Sequence, residues 1–196
     1  MEYNLDMLAD RGFCILENFL DEETVNNIVE EIENIKISSG FKKAGIGREQ
    51  NFQIDSGQRG DFIKWIDPQE AESATSQYLD KLRALITTLN RNFYLGIQDF
   101  ECHYTEYPEG THYARHSDRH KSGSSRKISF VLYLNKEWKP DYGGQLRIYH
   151  DDNTFDDVQP LAGRLAVFLS EKEHEVMITT KSRKSITGWM LDRPVI

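Results

Sequence analysis

Apolar positions recur along this chain with two different periods, and the change from one to the other organises it. Asp21 stands where a helix cap belongs. After it Val25, Ile28, Val29, Ile32 and Ile35 form one stripe at the helical repeat. A second stripe, Tyr78, Leu82, Leu85, Ile86, Leu89 and Phe93, predicts another amphipathic helix, with Asp67-Pro68 as its cap and first-turn proline. Ahead of the first helix "GFCILENFL" reads as a strand. Between the helices "SGFKKAGIGREQNFQIDSGQRGD" keeps neither period and reads as a long loop or loose hairpin, suited to a lid.

From about Asp99 the period shortens to two. "KISFVLYLN", "GGQLRIYH", "GRLAVFLS", "HEVMIT" and "KSITGWML" are β-branched and aromatic segments of strand length with turns between them. Helices followed by many short strands predict an α+β chain built on a sandwich or barrel. The expected layout is one domain, 1–196, with helical support and the lid in 1–97 and the strand-rich core in 98–196. In "RKSITGWM" the alternation sets Arg183, Ser185, Thr187 and Trp189 on one face. An arginine, two hydroxyls and a tryptophan suit a barrel interior that holds a polar ligand better than an apolar core.

Composition narrows the class. The 196 residues are 38% hydrophobic and 11% aromatic, which suits a folded chain, and the net charge of −8 argues against a general nucleic-acid binder. No apolar run approaches the ~20 residues of a membrane helix, and no secretory leader is visible. Cys14 and Cys102, in no paired motif, read as reduced buried thiols of a cytoplasmic protein.

The chemistry centres on "YARHSDRH". On an extended segment His116 and Asp118 point to one side, and His174, at the start of "HEVMIT", is the best third ligand. Two imidazoles and a carboxylate form the facial set of non-haem Fe(II) oxygenases and leave positions open. Arg183, nine residues after His174, supplies a cation for the far carboxylate of a 2-oxo acid chelating that iron. Two other classes compete. A zinc hydrolase could use His112, His116 and His174, though no glutamate follows the first histidine as base. A non-catalytic jelly-roll binding module is the other. The remaining histidines, 103, 112, 120 and 150, read as structural or solvated.

In order along the chain, "HSD", "YLNKEW", "GGQLRIY", "HEV" and "RKSITGW" resemble the 2-oxoglutarate- and Fe(II)-dependent prolyl 4-hydroxylases of the egl-nine (hypoxia-inducible-factor prolyl hydroxylase) type. The similarity runs from about residue 40 to 192, as in a compact microbial homologue without the zinc-finger module of some relatives. It implies a double-stranded β-helix (jelly roll) flanked by N-terminal helices. It implies iron on His116, Asp118 and His174, and 2-oxoglutarate held by Arg183 and Tyr133. Tyr107, Leu146, Thr187 and Trp189 then line the cofactor pocket. Tyr113, Arg115, Arg59 and Asp61 become substrate contacts, and Arg126 pairs with Asp61 to anchor the lid. The implied reaction hydroxylates a prolyl residue of a protein with dioxygen, releasing succinate and carbon dioxide. Ascorbate is the implied reductant and a translation elongation factor a possible target. Hydroxylation of lysyl residues or free amino acids is the runner-up.

Overall fold

The computed structural model describes residues 5–38, 40–45, 55, 57–119 and 124–194. Most of the expected lid, including 46–54, and the turn with His120 lie outside the described residues. The elements are α1 (Asp6–Arg11), β1 (Phe13–Leu16), α2 (Glu22–Ser38), β2 (Lys42–Lys43), β3 (Phe62–Trp65), α3 (Ser73–Phe93), β4 (Asp99–Tyr107) and β5 (Tyr113–His116). Then follow β6 (Arg126–Tyr133), β7 (Leu146–Tyr149), β8 (Phe155–Val158), β9 (Leu165–Leu169), β10 (His174–Val176) and β11 (Arg183–Leu191). A seven-stranded sheet in the order β1-β9-β6-β11-β4-β3-β2 faces a four-stranded sheet, β5-β10-β7-β8. These are the two walls of the expected double-stranded β-helix.

The long sheet is buried on both faces, and the period-two alternation of its central strands sorts the side chains between them. On β6, Ile128, Phe130 and Leu132 join the core formed with Leu79, Leu82, Leu85 and Leu89 of α3 and Ile28 and Ile32 of α2. Val131 and Tyr133, one residue out of phase, join a second core between the sheets with Leu146, Ile148, Phe168 and Val176. On β11 Ile186 and Met190 face the helices. Between them Gly188 is obligatory, because a Cβ there would lie 2.5 Å from the Phe130 ring and 2.3 Å from the Glu101 carbonyl oxygen.

Both helical stripes fold as the spacing predicts, and Asp21 caps α2 by accepting the Thr24 N–H at 2.8 Å. The second helix begins later than expected. Asp67-Pro68 closes a separate turn, with Asp67 Oδ1 accepting the Gln69 N–H, and α3 starts at Ser73. Its first N–H groups are satisfied from another element. The Glu31 carboxylate of α2 accepts the amides of Ala74 (2.7 Å) and Thr75 (3.0 Å) and the Thr75 hydroxyl (2.6 Å). A tertiary cap of this kind leaves no local mark in the sequence around Ser73. The first 97 residues also do more than support the core: β1 pairs with β9 and β3 with β4, widening the long sheet at both edges.

Removing the carboxylate would strand buried amides that carry the positive end of the α3 dipole. Glu31→Ala is expected to destabilise the fold by about 2–3 kcal/mol, read as a lower urea midpoint at unchanged m-value.

Candidate metal centre and co-substrate cavity

The inner face of the long sheet forms the floor of a cavity of about 670 Å³. β4 and β11 lie side by side there, and their register puts Arg183 beside Tyr107, Ser185 beside Thr105, Thr187 beside His103 and Trp189 beside Glu101. The face read from "RKSITGWM" therefore is the floor, with Arg183, Thr187 and Trp189 lining the cavity. Leu146 of β7 and Val176 of β10 close it from the short sheet.

Three potential metal ligands converge on one wall. His116 and His174 are directly paired across β5 and β10, with their rings 4.3 Å apart. Asp118 follows β5, its Oδ1 3.7 Å from His116 Nε2 and its Oδ2 3.5 Å from His174 Nε2. All three ligand atoms lie within 4.8 Å of one another. The imidazoles are oriented by their own backbone: His116 Nδ1–H donates to the Ala114 carbonyl at 2.7 Å and His174 Nδ1–H to the Lys172 carbonyl at 3.0 Å. Carbonyls only accept, so both Nε2 lone pairs are left facing the carboxylate, the arrangement a metal requires. Burial, reinforced by His174, drives the His116 pKa down to about 3, so its imidazole is neutral at physiological pH. Burial opposes ionisation of Asp118, but the adjoining imidazoles and a hydrogen bond from the Ser129 hydroxyl (2.7 Å) hold its carboxyl below the usual range. Two imidazoles with one carboxylate suit a divalent cation such as Fe(II) and would leave further coordination positions open. His112 is not part of this cluster, which removes the ligand set of the zinc-hydrolase alternative.

Arg183 is 1% exposed. Its Nε–H donates to the Gly144 carbonyl at 2.8 Å and Nη1–H reaches Ser185 Oγ at 3.4 Å, whereas Nη2 has no partner. The rings of Tyr107 and Tyr133 flank it, each centroid 5.1 Å from the guanidinium carbon. The Tyr133 hydroxyl is also buried without a partner, and burial pushes its pKa up to about 12, so it remains a proton donor. Among the described residues no carboxylate forms an ion pair with Arg183. A buried guanidinium beside an unanswered phenol costs free energy unless an anion completes the set. The far carboxylate of 2-oxoglutarate fits that need. Gly144 keeps the anchor close: it sits at φ +66°, and a Cβ would lie 3.1 Å from both Arg183 and Thr179.

The other expected site residues divide. Tyr113 stacks on His116 with centroids 3.7 Å apart, and Arg59 lies over the Tyr113 ring at 4.6 Å. Tyr113 and His116 share a face although three positions apart, because the register slips by one residue between His174–His116 and Val176–Tyr113. Arg115, next to the inward-facing His116, points outward by ordinary alternation. It was expected to touch substrate, but it binds Glu173 and Asn153 and covers the Tyr149 ring in a separate surface cleft. The expected Asp61–Arg126 bridge does not form. Asp61, 0% exposed, is held by Arg59 through two hydrogen bonds of 2.6 and 2.9 Å. Arg126 pairs with Glu101 at 2.8 Å and lies over Trp189. The sheet separates the expected partners: Phe62, next to Asp61, pairs with Glu106, whereas Arg126 pairs with Leu191 at the opposite end of β11. Each cation instead finds a carboxylate near its own row. Sequence reasoning missed Ser129, although the period-two rule places it on the Tyr133 face of β6. It also missed that His103, Glu101 and Trp65 line the cavity.

The model of the 2OG-Fe(II) oxygenase superfamily matches residues 102–191. Human prolyl hydroxylase EGLN3 is 30% identical over 98% of this chain and 83% of its own length. The crystal structure of a Pseudomonas putida prolyl-4-hydroxylase superposes with TM-score 0.86 at 39% identity, covering 97% of both chains. A Trichoplax adhaerens prolyl hydroxylase, in complex with a hypoxia inducible factor oxygen degradation domain peptide fragment, superposes with TM-score 0.85 at 30% identity over 96% of this chain and 87% of that one.

Two variants test the roles assigned to these groups. Ser129→Ala removes the hydroxyl that orients Asp118 and is expected to weaken Fe(II) binding ~10–100-fold in a metal titration. Breaking the Arg183 pair with a desolvated carboxylate costs ~3–5 kcal/mol. Arg183→Ala should therefore weaken 2-oxoglutarate binding by roughly two to three and a half decades in calorimetry, with metal affinity retained.

Proposed function

Because the chain belongs to the 2OG-Fe(II) oxygenase superfamily, we propose that it is a prolyl 4-hydroxylase acting on a proline within a protein. It is a dioxygenase whose reaction uses Fe(II), 2-oxoglutarate and dioxygen. What carries the reading of the site is the combination found in one cavity. A His116–Asp118–His174 cluster stands across from Arg183 and Tyr133, whose buried donors Nη2 and Oη have no protein acceptor.

When bound, iron and 2-oxoglutarate supply the oxidising chemistry, with succinate and carbon dioxide as by-products. The chain's own residues bind, orient and shield. Arg183 and Tyr133 would hold the far carboxylate and so orient the co-substrate toward the metal. His116, Asp118 and His174 would hold the ion, with Ser129 orienting the Asp118 carboxylate. Tyr107, Leu146 and Thr187 wall the co-substrate from water. Tyr113, braced between Arg59 and His116, and Trp189 with Arg126 over it flank the opening toward substrate.

Proline is favoured over lysine by charge as well as by the relatives' names. Among the described residues three carboxylates line the cavity, and each is engaged: Asp61 by Arg59, Glu101 by Arg126, Asp118 by Ser129 and the imidazoles. None of these three is left to receive a lysyl ammonium or the amino group of a free amino acid, whereas a prolyl ring brings no charge. Ascorbate is the proposed reductant. A translation elongation factor is the proposed first protein to test, in a cytoplasmic setting that agrees with two buried, unpaired thiols.

The experiment is to incubate cell extract and the elongation factor with Fe(II), 2-oxoglutarate and enzyme, then locate added oxygen by mass spectrometry. Oxygen should appear on prolines with wild type and be absent with His174→Ala, alongside loss of succinate production. Oxygen on lysines or free amino acids would overturn the prolyl assignment, and equal activity with zinc alone would overturn the oxygenase mechanism.

A further inference from the structure

One buried group of the cavity wall has no task in holding iron or co-substrate. His103, in the middle of β4, is 1% exposed. Its Nδ1 lies 2.9 Å from Thr105 Oγ1, and its Nε2 has no partner. The Trp189 indole Nε1 is likewise buried and forms no full hydrogen bond, and the two rings lie 5.6 Å apart at 61°. The indole N–H is oriented toward the Asp118 carboxylate, which it helps to hold ionised, so the nitrogen left unanswered among the described residues is His103 Nε2, which is costly if nothing completes it.

Its position says what could. Cross-strand pairing sets Trp65, His103 and Thr187 in one row over β3, β4 and β11. Trp65, 50% exposed, forms the outer end of that row, its ring edge-on to His103 at 5.0 Å. Tyr107, next to Arg183, is four residues further along β4, about 13 Å at ~3.3 Å per residue. His103 is therefore on the entrance side of the floor and far from the carboxylate anchor.

Burial, reinforced by Arg59 and Arg126 and opposed by Asp61 and the Tyr104 backbone, drives the His103 pKa down to about 4, so the ring is neutral. Thr105 Oγ1 has no other hydrogen-bond partner among the described residues, which leaves its proton free for Nδ1. With Nδ1 accepting, the ring's own proton is on Nε2. A prolyl residue has no N–H, so its own main chain offers a binding site only carbonyl acceptors. A buried, neutral N–H donor is the complement of such an acceptor.

We propose that His103 is a substrate-binding residue whose Nε2–H donates a hydrogen bond to a main-chain carbonyl of the peptide beside the target proline. The proposal rests on the prolyl reading above and adds a specificity-determining contact to it. Because the imidazole contributes a single neutral donor, its loss should weaken peptide binding without touching the metal.

Two measurements test it. In protein labelled with 15N-histidine, NMR should find His103 in the Nε2–H tautomer. Its resonance should move when a synthetic peptide spanning a proline oxidised by wild type is added. An Nδ1–H tautomer would overturn the proposal whatever the substrate. Kinetically, His103→Phe should raise the peptide KM about tenfold, with kcat changed less than threefold, and His103→Gln, which keeps an N–H donor, should bring KM back to within threefold. Calorimetric 2-oxoglutarate affinity should stay within twofold. Weakened co-substrate binding in His103→Phe, or an unchanged peptide KM, would overturn the role of His103. A wild-type enzyme that oxidises no prolyl peptide would instead sink the prolyl reading itself.

Discussion

A guanidinium buried in a protein interior with no carboxylate beside it is the constraint on which the site depends. Arg183 cannot be deprotonated and cannot reach water, so its surroundings must supply the missing counter-charge or hold it for a ligand. Gly144 takes Nε, Ser185 approaches Nη1 and two tyrosine rings flank the plane, while Nη2 and the Tyr133 hydroxyl are left without a partner among the described residues. On the proposed reading an organic dianion would complete the set with donors already in place, so little ordering would be left to be done on binding.

That arrangement is possible because the long sheet is two-faced. Each central strand sends alternate residues to the helices and to the cavity, so one sequence of nine residues on β11 carries both a packed core and a polar floor. α2 and α3 seal the outer face mainly with leucine and isoleucine, so that face is largely apolar while the inner one is not. The helices contribute to the chemistry indirectly. They back the floor, and the Glu31 carboxylate ties one helix to the start of the other.

The metal cluster depends on a different device. β5 and β10 bring two histidines into register, and a one-residue slip between these strands brings Tyr113 round to stack on His116, while Arg115, next to His116, points to the outer surface by alternation. Ser129 crosses from the long sheet to hold Asp118 and so joins the two walls at the point where a cation would sit. Arg59, doubly bonded to Asp61 and lying over Tyr113, extends the same stack toward the segment before β3.

Much of this was legible in the order of residues. Helical stripes, strand segments, the H-x-D pair, His174 and the polar face from Arg183 to Trp189 are local patterns, each set by a backbone period, and the period survives folding. What depends on which strands become neighbours was not legible. The start of α3 at Ser73 was hidden because its cap comes from a residue on another helix. The Arg59–Asp61 and Arg126–Glu101 pairings were hidden because cross-strand register decides which carboxylate is nearest. Tyr113 joins the His116 face because a slip of one residue reverses a side chain, and no local signal marks it, whereas Arg115 lies opposite to His116 by plain alternation. His103 looked like any core histidine, since only the tertiary structure shows that it lines a cavity and that its second nitrogen has no partner among the described residues.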